Sequence, residues 1–84
     1  MVKVEITKAA EKNFLKLPQN IKKLLSKKIS VLKIDPYQGK PLSGKLKGSF
    51  SLRIWPYRAI YLFDSKKQTI FIYKVQHRKE VYKN

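Results

Sequence analysis

Three arginines are the residues of this sequence best suited to binding phosphate, since the other seventeen basic residues are all lysines. Arg53 and Arg58 fall within one stretch, residues 45–58, and Arg78 follows the last apolar run. A guanidinium group has a permanent charge, a planar face and a fixed fork of donors, which suit phosphate groups and stacked bases. We hypothesise that these arginines line a site for a phosphodiester backbone. The alternative is that they only cover or pair strands.

The remaining chemistry-bearing residues indicate phosphoryl chemistry that uses neither a metal nor another cofactor. One histidine and five scattered carboxylates do not readily supply three or four metal ligands, and the chain has no cysteine. RNA carries its own nucleophile, the 2′-hydroxyl. An enzyme that cuts RNA must therefore align that group, stabilise extra negative charge and manage two protons. Arginines suit the charge, and His77 and Tyr82 are the candidate proton-handling groups.

A net charge of +15 on 84 residues predicts a polyanionic or acidic partner, because self-repulsion opposes compaction. Nucleic acid is the first candidate and an acidic protein the second. The length fits one domain, residues 1–84. No apolar run approaches the ~20 residues that a membrane span needs, so we expect a soluble, cytoplasmic protein without a membrane partner.

The N-terminal half predicts one strand and two helices. Alternating apolar residues over 2–6 indicate a half-buried strand. Thr7 can cap a first helix that runs to about Leu17. Pro18 separates it from a second helix, which the Asp-Pro pair at 35–36 ends. Such a helical hairpin usually covers a sheet.

The C-terminal half predicts three strands after a loop over residues 37–48. The strands cover about residues 50–55, 57–63 and 69–75, which are rich in β-branched and aromatic residues. Short connections make successive strands antiparallel. The predicted fold is therefore α+β: an N-terminal strand, a helical hairpin and a three-stranded meander, forming one antiparallel sheet covered by two helices. Arg53, Arg58 and Arg78 would gather on its open face or at one end.

Over essentially its whole length, the sequence resembles the RelE/ParE superfamily of toxins from bacterial and archaeal toxin–antitoxin pairs. The order and spacing of several short motifs carry the resemblance. They are Lys40-Pro41-Leu42 with Gly44, Leu46-Lys47-Gly48, Leu52-Arg53-Ile54, Tyr57-Arg58-Ala59-Ile60-Tyr61 and His77-Arg78-Lys79-Glu80-Val81-Tyr82.

The resemblance implies first a RelE-like toxin, an mRNA interferase that inhibits translation. Such an endoribonuclease cuts messenger RNA in the A site of the small ribosomal subunit, beside ribosomal RNA, by 2′-hydroxyl attack and without a metal. A cognate acidic, RelB-like antitoxin would neutralise it within a hetero-oligomer. Two alternatives stay open: a DNA gyrase inhibitor of the ParE branch, and a non-catalytic basic RNA-binding domain.

The resemblance also implies roles for four residues. Arg58 matches the family arginine that grips the scissile phosphate. Arg78, with His77 beside it, matches the basic residue proposed as acid or charge stabiliser. Tyr82 matches the C-terminal tyrosine that stacks on or orients the substrate.

The sequence departs from the family pattern on the second strand, where relatives have two lysines one residue apart. This chain has Ser51 and Arg53 there, so the second position keeps its charge and the first lacks a candidate lysine base. His77 would substitute, or Lys45 and Lys47 would contribute from the loop. The general base therefore stays open. We take Lys45, Lys47 and Ser51 as RNA-binding candidates.

Overall fold

The chain forms one five-stranded sheet with two main helices packed on one face. A computed structural model describes residues 2–81. Its elements are β1 (Lys3–Ile6), α1 (Lys8–Leu15), α2 (Gln19–Ile34), β2 (Lys40–Pro41), β3 (Phe50–Ile54), β4 (Tyr57–Asp64), β5 (Thr69–His77) and α3 (Arg78–Val81). The predicted α+β fold is confirmed. None of the helices in the described part of the chain is long and apolar enough to cross a membrane.

Both helices begin at the signals that the sequence provides. The Thr7 hydroxyl accepts a hydrogen bond from the Ala10 backbone N–H at 3.3 Å, which caps α1. Pro18 precedes α2, where a missing N–H costs little because the first N–H groups of a helix have no partner within it. α1 ends at Leu15 rather than at the predicted Leu17, and Leu17 is buried in the core between the two helices and the sheet.

The core lies between the helices and one face of the sheet. The helices and their connection contribute Ala10, Leu17, Ile21, Leu25 and Leu32, and the strands contribute Leu52, Ile54, Ala59, Tyr61, Ile70, Ile72 and Val75. Burying this apolar surface is the main favourable contribution to folding. The opposite face, called the open face below, carries the alternate strand residues, among them Ser51, Arg53, Arg58, Ile60 and Gln76.

The strand order is β1-β5-β4-β3-β2, and the sheet is mixed. The meander of β3, β4 and β5 is antiparallel, as predicted, and the two-residue β2 adds an antiparallel fifth strand that was not predicted. β1 differs from the prediction, because it runs parallel to β5 from the pair Lys3–Thr69 onward. No short turn joins these two strands, so nothing in the connection imposes an antiparallel pairing.

A β-bulge interrupts the pairing of β4 with β5. Tyr61 of β4 faces Ile72, but the preceding Ile60 faces Lys74, so Tyr73 is an extra residue in β5. An extra residue reverses the alternation of side chains beyond it. Every later residue of β5 therefore lies on the face opposite to the one that simple alternation gives.

The loop between α2 and β2 is fixed by the buried Tyr61. Its hydroxyl donates to the Pro36 carbonyl at 2.9 Å and accepts from the Gly39 backbone N–H at 2.8 Å. Burial raises the pKa of the Tyr61 phenol above its ordinary value, so the hydroxyl stays protonated at neutral pH. The Tyr61 ring also stacks on Phe50, with centroids 5.4 Å apart. These contacts hold β2 against the edge of β3.

Candidate nucleic-acid interface

Arg53 and Arg58 lie side by side on the open face. They are direct partners across β3 and β4, and Gln76 of β5 is the next residue in the same row. Arg53 is exposed and Arg58 is half-buried. Like charges directly opposite each other destabilise a sheet, by up to about 1 kcal/mol. The pair therefore does not stabilise the fold. Two adjacent guanidinium groups are, however, well suited to bind an anion.

Trp55 connects Arg78 to this pair. The Cζ atoms of Arg53 and Arg78 lie 4.9 Å and 4.8 Å from the centroid of its ring, within the range of cation–π contacts. The Arg78 backbone N–H donates to the Pro56 carbonyl at 2.8 Å, which fixes the start of α3 beside the turn between β3 and β4. The three arginines of the chain, Arg53, Arg58 and Arg78, thus form one group at one end of the sheet, called the arginine cluster below.

Ser51 lies on the same face as Arg53, two residues earlier in β3. Its side chain is buried, and its strand partners are Lys40 of β2 and Ile60 of β4. Nearby in the chain, the Ser49 and Tyr73 hydroxyls form a hydrogen bond of 2.6 Å between β5 and the segment before β3. Position 51, where the family resemblance implies a lysine, therefore holds a buried hydroxyl, with the cationic Lys40 opposite it on the neighbouring strand.

Lys45 and Lys47 lie at the other end of β3 from the arginine cluster. Lys45 belongs to a short 3₁₀ turn, Gly44–Leu46, and both lysines are exposed. Five residues of strand separate this loop from Trp55, a distance of roughly 16 Å at about 3.3 Å per residue. The two lysines are therefore suited to a different part of an extended ligand than the arginines.

His77 is not brought together with Arg53 and Arg58, because it lies on the helix-covered face. Its ring packs edge-on against Tyr57, its strand partner, with centroids 5.0 Å apart. Its Nδ1 accepts a hydrogen bond from the Lys79 backbone N–H at 3.1 Å. A cavity of about 330 Å³ beside it is lined by Asn13, Lys16, Leu17, Tyr57, Val75 and His77. The sheet stands between this imidazole and the arginine pair.

Tyr82 lies outside the described residues, so its role stays a prediction. Trp55 and Gln76 were not among the predicted site residues, but they lie beside the arginines and so belong to the candidate site. Alternation along β3 predicts that Trp55, two residues after Arg53, lies on the same side as Arg53. The position of Gln76 could not be predicted in this way, because it depends on the bulge in β5. Within residues 2–81, no three histidine, aspartate or glutamate side chains form a group that could hold a metal ion.

The helices also support the arginine cluster from the edge of the sheet. The Lys28 amine of α2 donates a hydrogen bond to the Arg53 carbonyl at 2.7 Å. This contact satisfies a carbonyl of β3 beyond the two residues that pair with β2. A groove of about 430 Å³ follows the same edge, lined by Lys28, Val31, Gln38, Gly39, Lys40, Ser51, Leu52 and Arg53. The backbone that carries Arg53 is thus held by α2 and by β4.

The sequence of this chain is similar to those of known toxins. The family model described as the ParE toxin of the type II toxin–antitoxin system parDE matches residues 4–82. Toxin RelG from Mycobacterium tuberculosis is 34% identical over 82 residues, which cover 95% of this chain and 94% of that toxin.

The fold of this chain is also similar to those of toxins with solved structures. The toxin–antitoxin complex RelBE2 from M. tuberculosis contains a chain with 34% identity and a TM-score of 0.83, covering 92% of this chain and 98% of that one. The isolated E. coli RelE toxin has 25% identity and a TM-score of 0.80, covering 98% of this chain and 92% of that one.

Proposed function

Because the chain belongs to the ParE toxin family within the RelE/ParE superfamily of type II toxin–antitoxin toxins, we propose that it is a RelE-like endoribonuclease. It cuts messenger RNA in the ribosomal A site, without a metal, and so inhibits translation. The observation that carries the proposal is the arginine cluster. Its three arginines, spread over residues 53–78 of the sequence, meet at one end of the open face, and two of them are direct strand partners.

In the proposed mechanism the arginines stabilise charge. The RNA 2′-hydroxyl attacks the adjacent phosphate in line, and negative charge grows on the phosphate oxygens. Arg58 grips the scissile phosphate, with Arg53 beside it and Arg78 across Trp55. Ser51 and Lys40 contact the RNA backbone farther along β3, and Lys45 and Lys47 contact it from the loop.

Proton transfer is the weaker part of the chemistry that these residues support. Arginine and tyrosine are poor acids and bases near neutral pH. Histidine is the residue type best suited to proton transfer at neutral pH, but the His77 side chain faces the helices, so the geometry favours Arg58 as the group that touches the scissile phosphate. Tyr82 is proposed to stack on or orient the substrate. We therefore expect little cleavage of free RNA and much more on the ribosome, where the message is held in place.

The proposal is tested by inducing the protein in growing cells. Translation should stop before replication, and sequencing of RNA 5′ ends should find messages cut inside codons on translating ribosomes. Free RNA incubated with the purified protein is the control and should stay largely intact. Messages that remain whole while protein synthesis continues would contradict the proposal.

The second candidate is a DNA gyrase inhibitor, which the match to the ParE toxin model favours. In that case replication stalls first, and purified gyrase loses supercoiling activity in the presence of this protein. The third candidate, a non-catalytic RNA-binding domain, requires that messages stay uncut although the protein binds them.

We also propose an acidic, RelB-like antitoxin as the partner. The support is the net charge of +15 together with the two similar toxins that were solved in complex with their antitoxins, from M. tuberculosis and E. coli. Attraction between opposite charges accelerates association and is screened by salt. We expect stopped-flow association rates to fall about tenfold or more from low to high salt. Equal rates would contradict the electrostatic part of this proposal.

A further inference from the structure

The only tryptophan of the chain lies at the centre of the arginine cluster. Trp55 follows β3 directly, in the turn to β4, and its side chain is 50% exposed. A half-exposed indole can offer the face of its ring to neighbouring cations. Here the guanidinium groups of Arg53 and Arg78 lie over it.

These contacts limit how far apart the two guanidinium groups can lie. Because each Cζ lies within 5 Å of the same ring centroid, the two guanidinium groups are no more than about 10 Å apart. Free arginine side chains have many rotamers. The negative face of the indole attracts each cation, and a ligand then loses less free energy to side-chain ordering when it binds.

We propose that Trp55 is a positioning residue that holds Arg53 and Arg78 as a second phosphate-binding site beside Arg58. The second site takes the phosphate next to the one at Arg58 in a single-stranded RNA. The identity of the ligand rests on the proposed function; the holding of the two arginines rests on the contacts described above. Phosphate is favoured over a stacked base because cations already lie over the ring, so an approaching anion meets them first.

Binding assays with a short RNA test the proposal without any cleavage step. The probe is a fluorescently labelled, fully 2′-O-methylated hexanucleotide, which lacks the nucleophilic hydroxyl, and the readout is anisotropy at fixed salt. Trp55→Leu removes no charge, yet we expect it to weaken binding about five- to tenfold. Trp55→Phe keeps a smaller ring and should weaken binding about two- to threefold.

The matched control is Tyr37→Leu, which removes another exposed aromatic ring on the loop between α2 and β2. It should leave the affinity within about twofold of the unchanged chain. Thermal unfolding of each variant tests whether it folds. If Trp55→Leu does not fold, Trp55→Phe is used to test the proposal instead. Unchanged affinity in a folded Trp55→Leu protein would overturn the proposal, because charge alone would then explain RNA binding.

Tryptophan fluorescence separates phosphate from base binding. Tripolyphosphate should change the Trp55 emission and compete with the RNA probe, and Arg53→Ala should abolish the emission change while Lys27→Ala keeps it. An emission change with adenosine but none with tripolyphosphate would overturn the proposal in favour of base stacking. A protein that binds as expected but cuts no message would refute the proposed function and leave this inference standing.

Discussion

Replacing Arg58 with lysine should reduce cleavage of ribosome-bound message about 100- to 1000-fold, the usual cost of losing one charge-stabilising donor. Lysine keeps the positive charge but lacks the rigid fork that binds two phosphate oxygens at once. Attraction to the RNA before the reaction depends mainly on charge, so affinity should change little. The stability of the fold should also stay nearly the same, because lysine at position 58 leaves a positive charge opposite Arg53, as in the unchanged chain.

Single-turnover cleavage on programmed ribosomes, at saturating toxin, measures the loss at the chemical step. Lys27→Ala, on the exposed side of α2, is the charge control, since it removes a charge and should leave the rate within about twofold. His77→Ala tests the geometry, because the imidazole lies on the other face of the sheet and should cost far less than Arg58→Lys. If Arg58→Lys cleaves normally while His77→Ala does not, the site lies on the helix-covered side.

Local alternation was enough to predict how β3 presents its side chains. Leu52 and Ile54 are buried in the core, and Ser51 and Arg53 lie on the opposite face, as the sequence indicates. Alternation holds here because β3 has no bulge, and every second residue of the strand is apolar and faces the core. For this strand, alternation predicts both the face buried in the core and the face that carries Arg53.

Alternation fails in β5 because of the bulge at Tyr73. The near-continuous apolar run gives no sign of an extra residue, so a simple count puts His77 on the same face as Tyr73 and hence with the arginines. The bulge reverses that assignment and turns Gln76 toward Arg58 instead. Bulges are common next to functional sites because they re-aim side chains in this way. A sequence without relatives aligned to it gives little warning of one.

Contacts between distant parts of the chain could not be predicted from local sequence patterns either. The approach of Arg78 to Trp55 requires the register of three strands and a hydrogen bond from α3 to the turn after β3. The parallel pairing of β1 depends on where the helices return the chain. β2 has only two residues, one of them Pro41, and such a short segment shows no periodicity.

Gly39→Ala should be the most damaging small substitution that we can identify outside the arginine cluster. A Cβ atom at this position would lie 2.6 Å from the Tyr61 hydroxyl oxygen and 2.8 Å from its ring, closer than real Cβ contacts. Tyr61 is fully buried and stacked on Phe50, so it has no room to move. Overpacking and a disrupted hydrogen bond together predict a loss of about 2–4 kcal/mol in the free energy of unfolding.

Denaturant unfolding of four proteins tests this contact directly: the unchanged chain, Gly39→Ala, Tyr61→Phe and the double variant. Tyr61→Phe alone loses the hydrogen bonds to Pro36 and Gly39, and should cost about 1–3 kcal/mol. In the double variant the closest clash is absent, so the two losses should fall short of their sum by about 1 kcal/mol or more. Gly44→Ala is the control, since a Cβ there meets nothing within 4 Å and costs only the left-handed backbone, about 1–2 kcal/mol. Additive losses in the cycle would mean that Gly39 and Tyr61 do not press on each other, and that β2 is held against β3 by other contacts.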